Sequence, residues 1–433
     1  MTDLRMPPAR RAALEAVSTS LSTPVDAQAA LDGRIAALGL SARDAALATE
    51  LTYGALRLKG RLDAVLDHFL RAPGKLPHKA RLILVLASHE LLHLDRVPAY
   101  ASVSWAVEAV KSGFGLGLSR LANGVLRSIE RLGQGALEPD FYRQGSRGEA
   151  DFLSRYYSCP RWIVDLWRRE LGDEACLALL KAQASPPAVG LRVNAARPGA
   201  TELREALASD PACILARDWA LAFAPGSRPA DEDSLAKGLV SRQSAASQLA
   251  LADLEPASWP APIWDCCCGR GGKALSLAEK GLGPIWASDT SFQRLRQLPG
   301  EARRLGLPAL PVFQARADAP APLASPPGTV LIDAPCSGLG VLSRRPDSKW
   351  KRKPADLPGL AALQAAILEQ AFAALRPGGR LAYITCTLNR AENEERIEAL
   401  LRGHADAKLL HSSRSPLDWP LGEFFGQALV GKK

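Results

Sequence analysis

Cysteine is scarce in this chain, which has eight cysteines among 433 residues. Three of them, Cys266, Cys267 and Cys268, are adjacent, and no two are spaced as Cys-x-x-Cys. The small number argues against a fold held by disulfides, and the spacing does not indicate a zinc site. We therefore expect reduced thiols and no metal.

Long hydrophobic runs are also lacking. No apolar run reaches the ~20 residues of a membrane-spanning helix, and the first residues are not followed by the apolar core of a signal peptide. These absences predict a cytoplasmic protein without a membrane partner. Hydrophobic residues make up 47% and charged residues 23% of the chain, which is typical of a globular protein, and its length favours two or three domains.

Three regions follow from the sequence pattern. Residues 1–140 show apolar residues at helical spacing and predict a helical bundle. Residues 141–237 combine a polar linker with a small α+β module. In residues 238–433 strand and helix signals alternate, which predicts a doubly wound parallel α/β sheet.

The charge gives a weak indication of the partner. A formal net charge of +9 and a pI of about 9.2 suit a polyanion such as RNA, but they are also common in other proteins. Basic residues surround one tryptophan at Arg344, Arg345, Lys349 and Trp350. This segment has two interpretations. In one, its cations contact RNA phosphates while a base stacks on the indole of Trp350. In the other, the segment is a solvated loop with Trp350 in the core.

A glycine-rich turn joins a strand ending at Asp265 to the helix that begins near Ala274, as in nucleotide-binding βαβ units. The turn is neither Gly-x-Gly-x-x-Gly nor a phosphate-binding P-loop, so S-adenosylmethionine is a more natural ligand than a dinucleotide or ATP. Asp289 would then accept from the ribose hydroxyls and Asp318 from the adenine amino group. Taken alone, each aspartate is better explained by turn capping, but together with the glycine loop the cofactor role is favoured.

Two cysteines follow apolar, strand-like runs. Cys336 lies in Asp333-Ala334-Pro335-Cys336-Ser337-Gly338 and Cys386 in Thr385-Cys386-Thr387, so both thiols are predicted at the carboxyl edge of the sheet. A thiolate that adds to carbon 6 of a pyrimidine activates carbon 5, and a second group must then remove the carbon 5 proton. Asp333 would bind the Watson–Crick edge of the base. The spacing leaves open which thiol attacks.

These motifs resemble those of the RNA 5-methylcytosine methyltransferases, and the whole chain resembles their bacterial RsmB/Sun subfamily, which acts on small-subunit (16S) ribosomal RNA. The Asp-Ala-Pro-Cys-Ser-Gly and Thr-Cys-Thr patterns are complete, and Asn389 to Glu395 contains the family's Glu-Asn-Glu. The resemblance extends to the segment from Arg96 to Arg127, which is similar to NusB-like RNA-binding domains.

The resemblance implies a multidomain chain with an all-α NusB-like domain, a small α+β module and a Rossmann-like methyltransferase domain. It makes Cys386 the nucleophile, Cys336 the base and Asp333 the residue that holds the cytosine. It also implies a set of residues that bind S-adenosylmethionine. They are Cys267, Cys268, Gly269, Arg270, Gly271, Gly272, Lys273, Asp289, Asp318 and Asp333.

The chain departs from the family pattern at three places, one of which is the region after His404, which is shorter than usual. Cys268, Gly269 and Arg270 replace Ala-Ala-Pro in the cofactor loop, and Ser244 replaces an aspartate that supports it. Two other functions stay open. One is a transfer-RNA methyltransferase, and the other is a non-catalytic RNA-binding factor in ribosome assembly or antitermination. The target nucleotide is not specified by the sequence, and a monomer is the default expectation.

Overall fold

The structure is a computed structural model that describes residues 5–433. Residues 1–4, at the start of the predicted helical domain, lie outside the described residues. The chain divides into two compact units. Unit 1 takes the described residues up to Ser185 together with Arg345–Arg352, and unit 2 takes Pro186–Arg344 and Lys353–Lys433.

Unit 1 is helical, as the spacing of its apolar residues predicts. Its helices begin at polar caps where the sequence provides them, since Asp26 and Ser41 accept hydrogen bonds from the backbone of Ala29 and Asp44. The helices continue past residue 140 and include one short helix from the second half of the chain. They are α1 Pro8–Ser22, α2 Ala27–Leu38, α3 Ala42–Phe69, α4 His78–His93, α5 Ala99–Phe114, α6 Leu116–Leu132, α7 Pro139–Arg143, α8 Glu149–Tyr156, α9 Arg161–Leu171, α10 Asp173–Ala184 and α17 Ser348–Lys351.

Unit 2 contains two sheets. The smaller one is antiparallel, with strand order β2-β3-β1-β4. Its strands are β1 Val189–Val193, β2 Cys213–Arg217, β3 Ala220–Phe223 and β4 Val240–Arg242. The helices of unit 2 are α11 Ala200–Ala208, α12 Glu232–Ala236, α13 Ala245–Ala252, α14 Gly272–Glu279, α15 Phe292–Leu295, α16 Leu298–Leu305, α18 Asp356–Ala374 and α19 Glu394–Gly403.

The larger sheet has seven strands in the order β10-β11-β9-β8-β5-β6-β7. They are β5 Ile263–Asp265, β6 Ile285–Asp289, β7 Val312–Gln314, β8 Thr329–Asp333, β9 Arg380–Thr385, β10 Ala407–Arg414 and β11 Gly426–Lys432. Strands β5 to β9 are parallel, which confirms the predicted α/β class. The antiparallel strands β10 and β11 extend one edge and make the sheet mixed.

Helix α18 is long and apolar enough to cross a membrane by length and composition alone. One face of it is buried in unit 2, where Ile367, Leu368 and Phe372 pack with Val330 and Ile332 of β8. Burying large apolar side chains against a sheet accounts for the composition of this helix. Helix α18 is therefore a core helix of unit 2.

A buried ion pair joins the small sheet to helix α14. Arg192 of β1 is 4% exposed, and its guanidinium donates to both carboxylate oxygens of Glu279 at 2.7 and 2.8 Å. The same side chain also donates to the carbonyl of Gly272, at the first turn of α14. Removing one partner of such a pair leaves a buried charge without compensation.

We expect Glu279→Leu to lower the local unfolding free energy of β1 and α14 by about 3–5 kcal/mol, because it leaves the Arg192 charge buried and unpaired. Hydrogen exchange of these elements, read by mass spectrometry, measures the change. The double variant Arg192→Met/Glu279→Leu should recover part of the loss. Glu205→Leu, at an exposed position on α11, serves as the control. Equal protection in Glu279→Leu and the control would contradict the prediction.

Candidate active site

The candidate site lies at the edge of the large sheet where its parallel strands end. Strand β8 ends at Asp333 and β9 at Thr385, and the two strands pair in parallel with Asp333 opposite Ile384. Cys336 and Cys386 follow these two ends. Parallel neighbours end at the same edge, so segments about 50 residues apart in sequence meet there. The structure thus brings together the two cysteines that the sequence singled out.

The two sulfur atoms are in direct contact. Cys336 Sγ and Cys386 Sγ are 2.8 Å apart, and the backbone N–H of Cys386 points to Cys336 Sγ at 3.3 Å. Both residues are half-buried thiols. The hydrogen bond with Cys386 raises the pKa of Cys336 well above its usual value, and burial adds to the increase. Cys336 is thus the thiol that holds its proton more strongly than usual.

Asp333 is held by a lysine of the glycine-rich loop. Lys273 Nζ lies 2.6 Å from Asp333 Oδ2, with 7% of the lysine side chain and 39% of the aspartate side chain exposed. Lys273 belongs to the first turn of α14, directly after the loop. The ion pair therefore ties the loop to the strand that carries Asp333, and it leaves part of the carboxylate open to a ligand.

The loop itself is shaped by two glycines. Gly269 and Gly271 have φ values of +57° and +80°, where side chains are disfavoured. A Cβ on Gly271 would lie 2.3 Å from Leu298 Cδ1. Asp289, at the end of β6, accepts from the backbone of Gly269 at 2.9 Å and of Ser291 at 2.8 Å. Asp289 therefore caps a turn and braces the loop, with lone pairs left for ribose hydroxyls.

The remaining predicted cofactor residues differ in exposure. Cys268 is 7% exposed, Cys267 is half-buried and Arg270 is exposed. Asp318 forms an ion pair with Arg316, and the nearer contact is 2.6 Å. The hydrogen bond from Arg316 lowers the pKa of Asp318. Its carboxylate oxygens would have to share this partner with an adenine amino group.

Asp265, which the sequence analysis did not single out, is a buried carboxyl at the end of β5. Its side chain is fully buried, and neither oxygen accepts a hydrogen bond of good geometry from any described residue. Burial raises the pKa of Asp265 to about 7, and the charge of Asp333 adds to the increase. An orphaned acceptor beside a loop of positive-φ glycines fits a polar, cationic ligand such as S-adenosylmethionine.

Two of the four predicted RNA-binding residues, Lys349 and Trp350, are packed within unit 1. Lys349 is 2% exposed and donates to the carbonyl of Arg57, and burial lowers its pKa to about 8. Trp350 is half-buried and donates to the carbonyl of Leu56. Both residues therefore pack within unit 1. The prediction that Lys349 contacts a phosphate is wrong. Trp350 is packed against the protein, as the alternative interpretation of this segment expected.

The other two residues of this group are more accessible. Arg344 lies in unit 2, where it forms an ion pair with Glu423 at 2.7 Å and keeps 39% of its side chain exposed. Arg345 is exposed. For these two arginines, contact with RNA stays a prediction.

Further polar groups support the loops, and of these the sequence analysis did not single out Arg192. Gln243 accepts from Arg192, and both side chains donate to the carbonyl of Gly272. Ser244, at the position of the missing aspartate, caps α13 through Ser247. The Glu-Asn-Glu pattern was the only sequence signal for a further group, formed by Glu392 and Asn393 behind the two thiols.

Asp265→Asn tests the buried carboxyl. The folded pKa lies above the unfolded value near 4, so the wild type loses stability as the pH rises from about 4 to 7, by on the order of 4 kcal/mol. The variant has no such loss. We expect its stability relative to the wild type to increase over this range and to level off above pH 7, in urea unfolding at fixed pH values. Asp418→Asn, at an exposed position, should show no such trend.

Two family descriptions match this chain. Residues 251–423 match "16S rRNA methyltransferase RsmB/F", and residues 7–131 match the NusB family. A probable ribosomal RNA small subunit methyltransferase B of Synechocystis is 32% identical over 408 residues, covering 90% of this chain and 87% of that protein. The probable ribosomal RNA small subunit methyltransferase B of Bacillus subtilis is 33% identical, covering 85% and 82%.

Solved structures share the fold. The crystal structure of PH0851 aligns with a TM-score of 0.76 at 23% identity, covering 99% of this chain and all of that one. A methyltransferase homolog protein from Pyrococcus horikoshii aligns with a TM-score of 0.55 over 65% of this chain and 98% of that one. From the sequence matches, this chain belongs to the S-adenosylmethionine-dependent methyltransferase family RsmB/F and carries a NusB-family domain.

Proposed function

We propose that this protein methylates carbon 5 of a cytosine in small-subunit ribosomal RNA, in the cytoplasm, through a covalent bond between Cys386 and the base. The contact between the two thiols beside Asp333 is the observation that carries the proposal. A single buried cysteine is usually a small hydrophobic residue, but two thiols at one strand edge supply both a nucleophile and a base.

The chemistry follows from the positions of these groups. Cys386 Sγ forms a bond to carbon 6, and carbon 5 gains the electron density that it lacks in the free base. S-adenosylmethionine supplies the methyl group when it is bound. Cys336, once its own proton has passed to water, takes the proton from carbon 5 as a thiolate, and the bond between Cys386 and carbon 6 breaks as the aromatic ring is restored and Cys386 leaves as thiolate.

The raised pKa of Cys336 disfavours this thiol as the nucleophile, because a nucleophile must be available as thiolate. The same high affinity for a proton strengthens Cys336 as a base once it has lost its own proton. Asp333 lies three residues before Cys336, where its exposed part would receive the cytosine amino group, and Lys273 fixes its orientation. These observations support separate roles for the two cysteines.

The substrate proposal relies on the relatives. The proteins from Synechocystis and Bacillus subtilis are named as small-subunit ribosomal RNA methyltransferases, and the chain covers more than four fifths of each. The net charge of +9 is compatible with RNA. Transfer RNA and a non-catalytic role are the competing outcomes of the experiments below.

The roles of the two thiols are tested with Cys386→Ala and Cys336→Ala, labelled S-adenosylmethionine and ribosomal RNA that lacks the modification. Cys386→Ala should lose roughly 100-fold or more of the methylation rate and form no adduct, because the nucleophile is gone. Cys336→Ala should accumulate a protein–RNA adduct that survives denaturation, because the carbon 5 proton stays in place.

Cys213→Ala, distant in sequence and located in the small sheet, is the matched control and should methylate like the wild type. An adduct in Cys386→Ala would reverse the assignment. Methylation of transfer RNA and not of ribosomal RNA would make transfer RNA the substrate. Tight RNA binding without methylation of either RNA would favour the non-catalytic role.

The cofactor loop is tested with Gly271→Ala. The added Cβ would meet Leu298 at 2.3 Å and the positive φ disfavours it, so the loop must shift. We expect affinity for S-adenosylmethionine, measured by calorimetry, to fall about 10-fold or more, since the loop backbone must approach the ligand closely. Gly281→Ala carries the same kind of strain, at φ +72°, without a neighbour within 4 Å, and should keep its affinity. Equal affinities of Gly271→Ala and the wild type for S-adenosylmethionine would contradict the prediction that this loop binds the cofactor.

A further inference from the structure

A short loop runs behind both thiols and contacts the segments that carry them. It comprises Asn389–Asn393 and contains one turn of 3-10 helix, Arg390–Glu392, before α19 begins. Glu392 is fully buried and Asn393 is 7% exposed. Neither residue has been given a role in the reaction above.

Glu392 holds the segment around Cys336. Its Oε2 accepts from the backbone N–H of Ser337 at 2.8 Å and from Gln364 Nε2 at 3.0 Å. The same Gln364 amide donates to the carbonyl of Pro335 at 2.9 Å. The residues before and after Cys336 are therefore both tied to one buried carboxylate, directly or through one amide.

Asn393 does the same for Cys386. Its Oδ1 accepts from the hydroxyl of Thr385 at 2.6 Å, and its Nδ2 donates to the carbonyl of Thr387 at 3.1 Å. A Cβ on Gly426 would lie 2.4 Å from Asn393 Oδ1, so the asparagine is closely packed from the other side. The residues that flank Cys386 are thus tied to one amide.

The two anchors are adjacent in the chain, and the backbone carbonyl of Glu392 accepts from the buried hydroxyl of Tyr383 at 2.8 Å. Two separate loops therefore take their positions from one dipeptide. A reacting geometry that is wrong by about 1 Å can cost on the order of 100-fold in rate. Fixing both thiols from one point is a direct way to set their separation.

We propose that Glu392 and Asn393 are positioning residues for the thiol pair, Glu392 for Cys336 and Asn393 for Cys386; this rests on the proposed function. The charge of Glu392 matters because its oxygens face three donors, from Ser337, Gln364 and Asn389. A glutamine at this position would turn an amide N–H₂ toward at least one of them.

The two variants should fail at different steps. Glu392→Gln disturbs the base, so we expect about 10-fold slower release and a covalent adduct that accumulates, as with Cys336→Ala. Asn393→Asp sets an oxygen against the carbonyl of Thr387 and disturbs the nucleophile. It should form the adduct about 10-fold more slowly without accumulation. The readout for Glu392→Gln is the ratio of adduct to 5-methylcytosine over time, since a general loss of stability would lower both together. The readout for Asn393→Asp is the rate of adduct formation in a single turnover, per amount of protein that thermal melting shows to be folded.

Glu395→Gln is the matched control, because it makes the same change three residues later on the exposed side of α19 and should keep wild-type rates. An unchanged ratio of adduct to product in Glu392→Gln, or adduct formation at the wild-type rate in Asn393→Asp, would overturn the positioning proposal. If wild type forms neither adduct nor product, the proposed function itself fails instead.

A variant that does not fold, judged from its thermal melting, is replaced by Gln364→Met. This change removes the amide that joins Glu392 to Pro335, and Gln364 Oε1 accepts no hydrogen bond from the described residues. Adduct accumulation in Gln364→Met would support the proposal. Its absence, with product formed at the wild-type rate, would overturn the role of this network for Cys336.

Discussion

The parallel pairing of β5, β6, β8 and β9 is the constraint on which the site depends. Backbone hydrogen bonds between these strands fix which residues lie opposite each other, as Asp265 opposite Leu331 and Asp333 opposite Ile384. Because all four strands run in the same direction, their carboxyl ends deliver the glycine loop, Asp289 and the two thiols to one edge. A slip of one residue would turn every side chain of a strand to the other face.

Beyond the strand ends, buried polar groups take over the positioning. Arg192 donates to the carbonyl of Gly272, directly after the glycine-rich loop, Asp289 accepts from Gly269, and Glu392 and Asn393 hold the segments that carry the thiols. Each of these groups is desolvated and therefore needs its partners, so the loops have few alternative positions. Asp265 is the exception, since its oxygens accept no hydrogen bond of good geometry from the described part of the chain. Unsatisfied groups of this kind are rare in stable cores and are more common where a ligand binds.

The basic segment after the Cys336 motif shows how far neighbourhood in sequence can mislead. Arg345–Arg352 belongs to the helical unit, where Lys349 and Trp350 donate to the carbonyls of α3. Cations beside an aromatic residue are typical of RNA-binding surfaces, but the same side chains can satisfy backbone carbonyls in a fold. Pattern alone does not distinguish the two uses, because both place cations around an aromatic ring.

The sequence by itself determined the helical first part, the α/β class of the second, the positive-φ glycine loop and the pair of cysteines at strand ends. These are local properties, since periodicity, glycine and strand–turn junctions are visible in short windows. Tertiary structure alone decided that strands β10 and β11 pair antiparallel at the edge, that Lys349 is buried, and that Glu392 and Asn393 contact the residues that flank Cys336 and Cys386. Such features depend on contacts between residues far apart in the chain, such as Glu392 with Ser337, 55 residues apart, which no local pattern specifies.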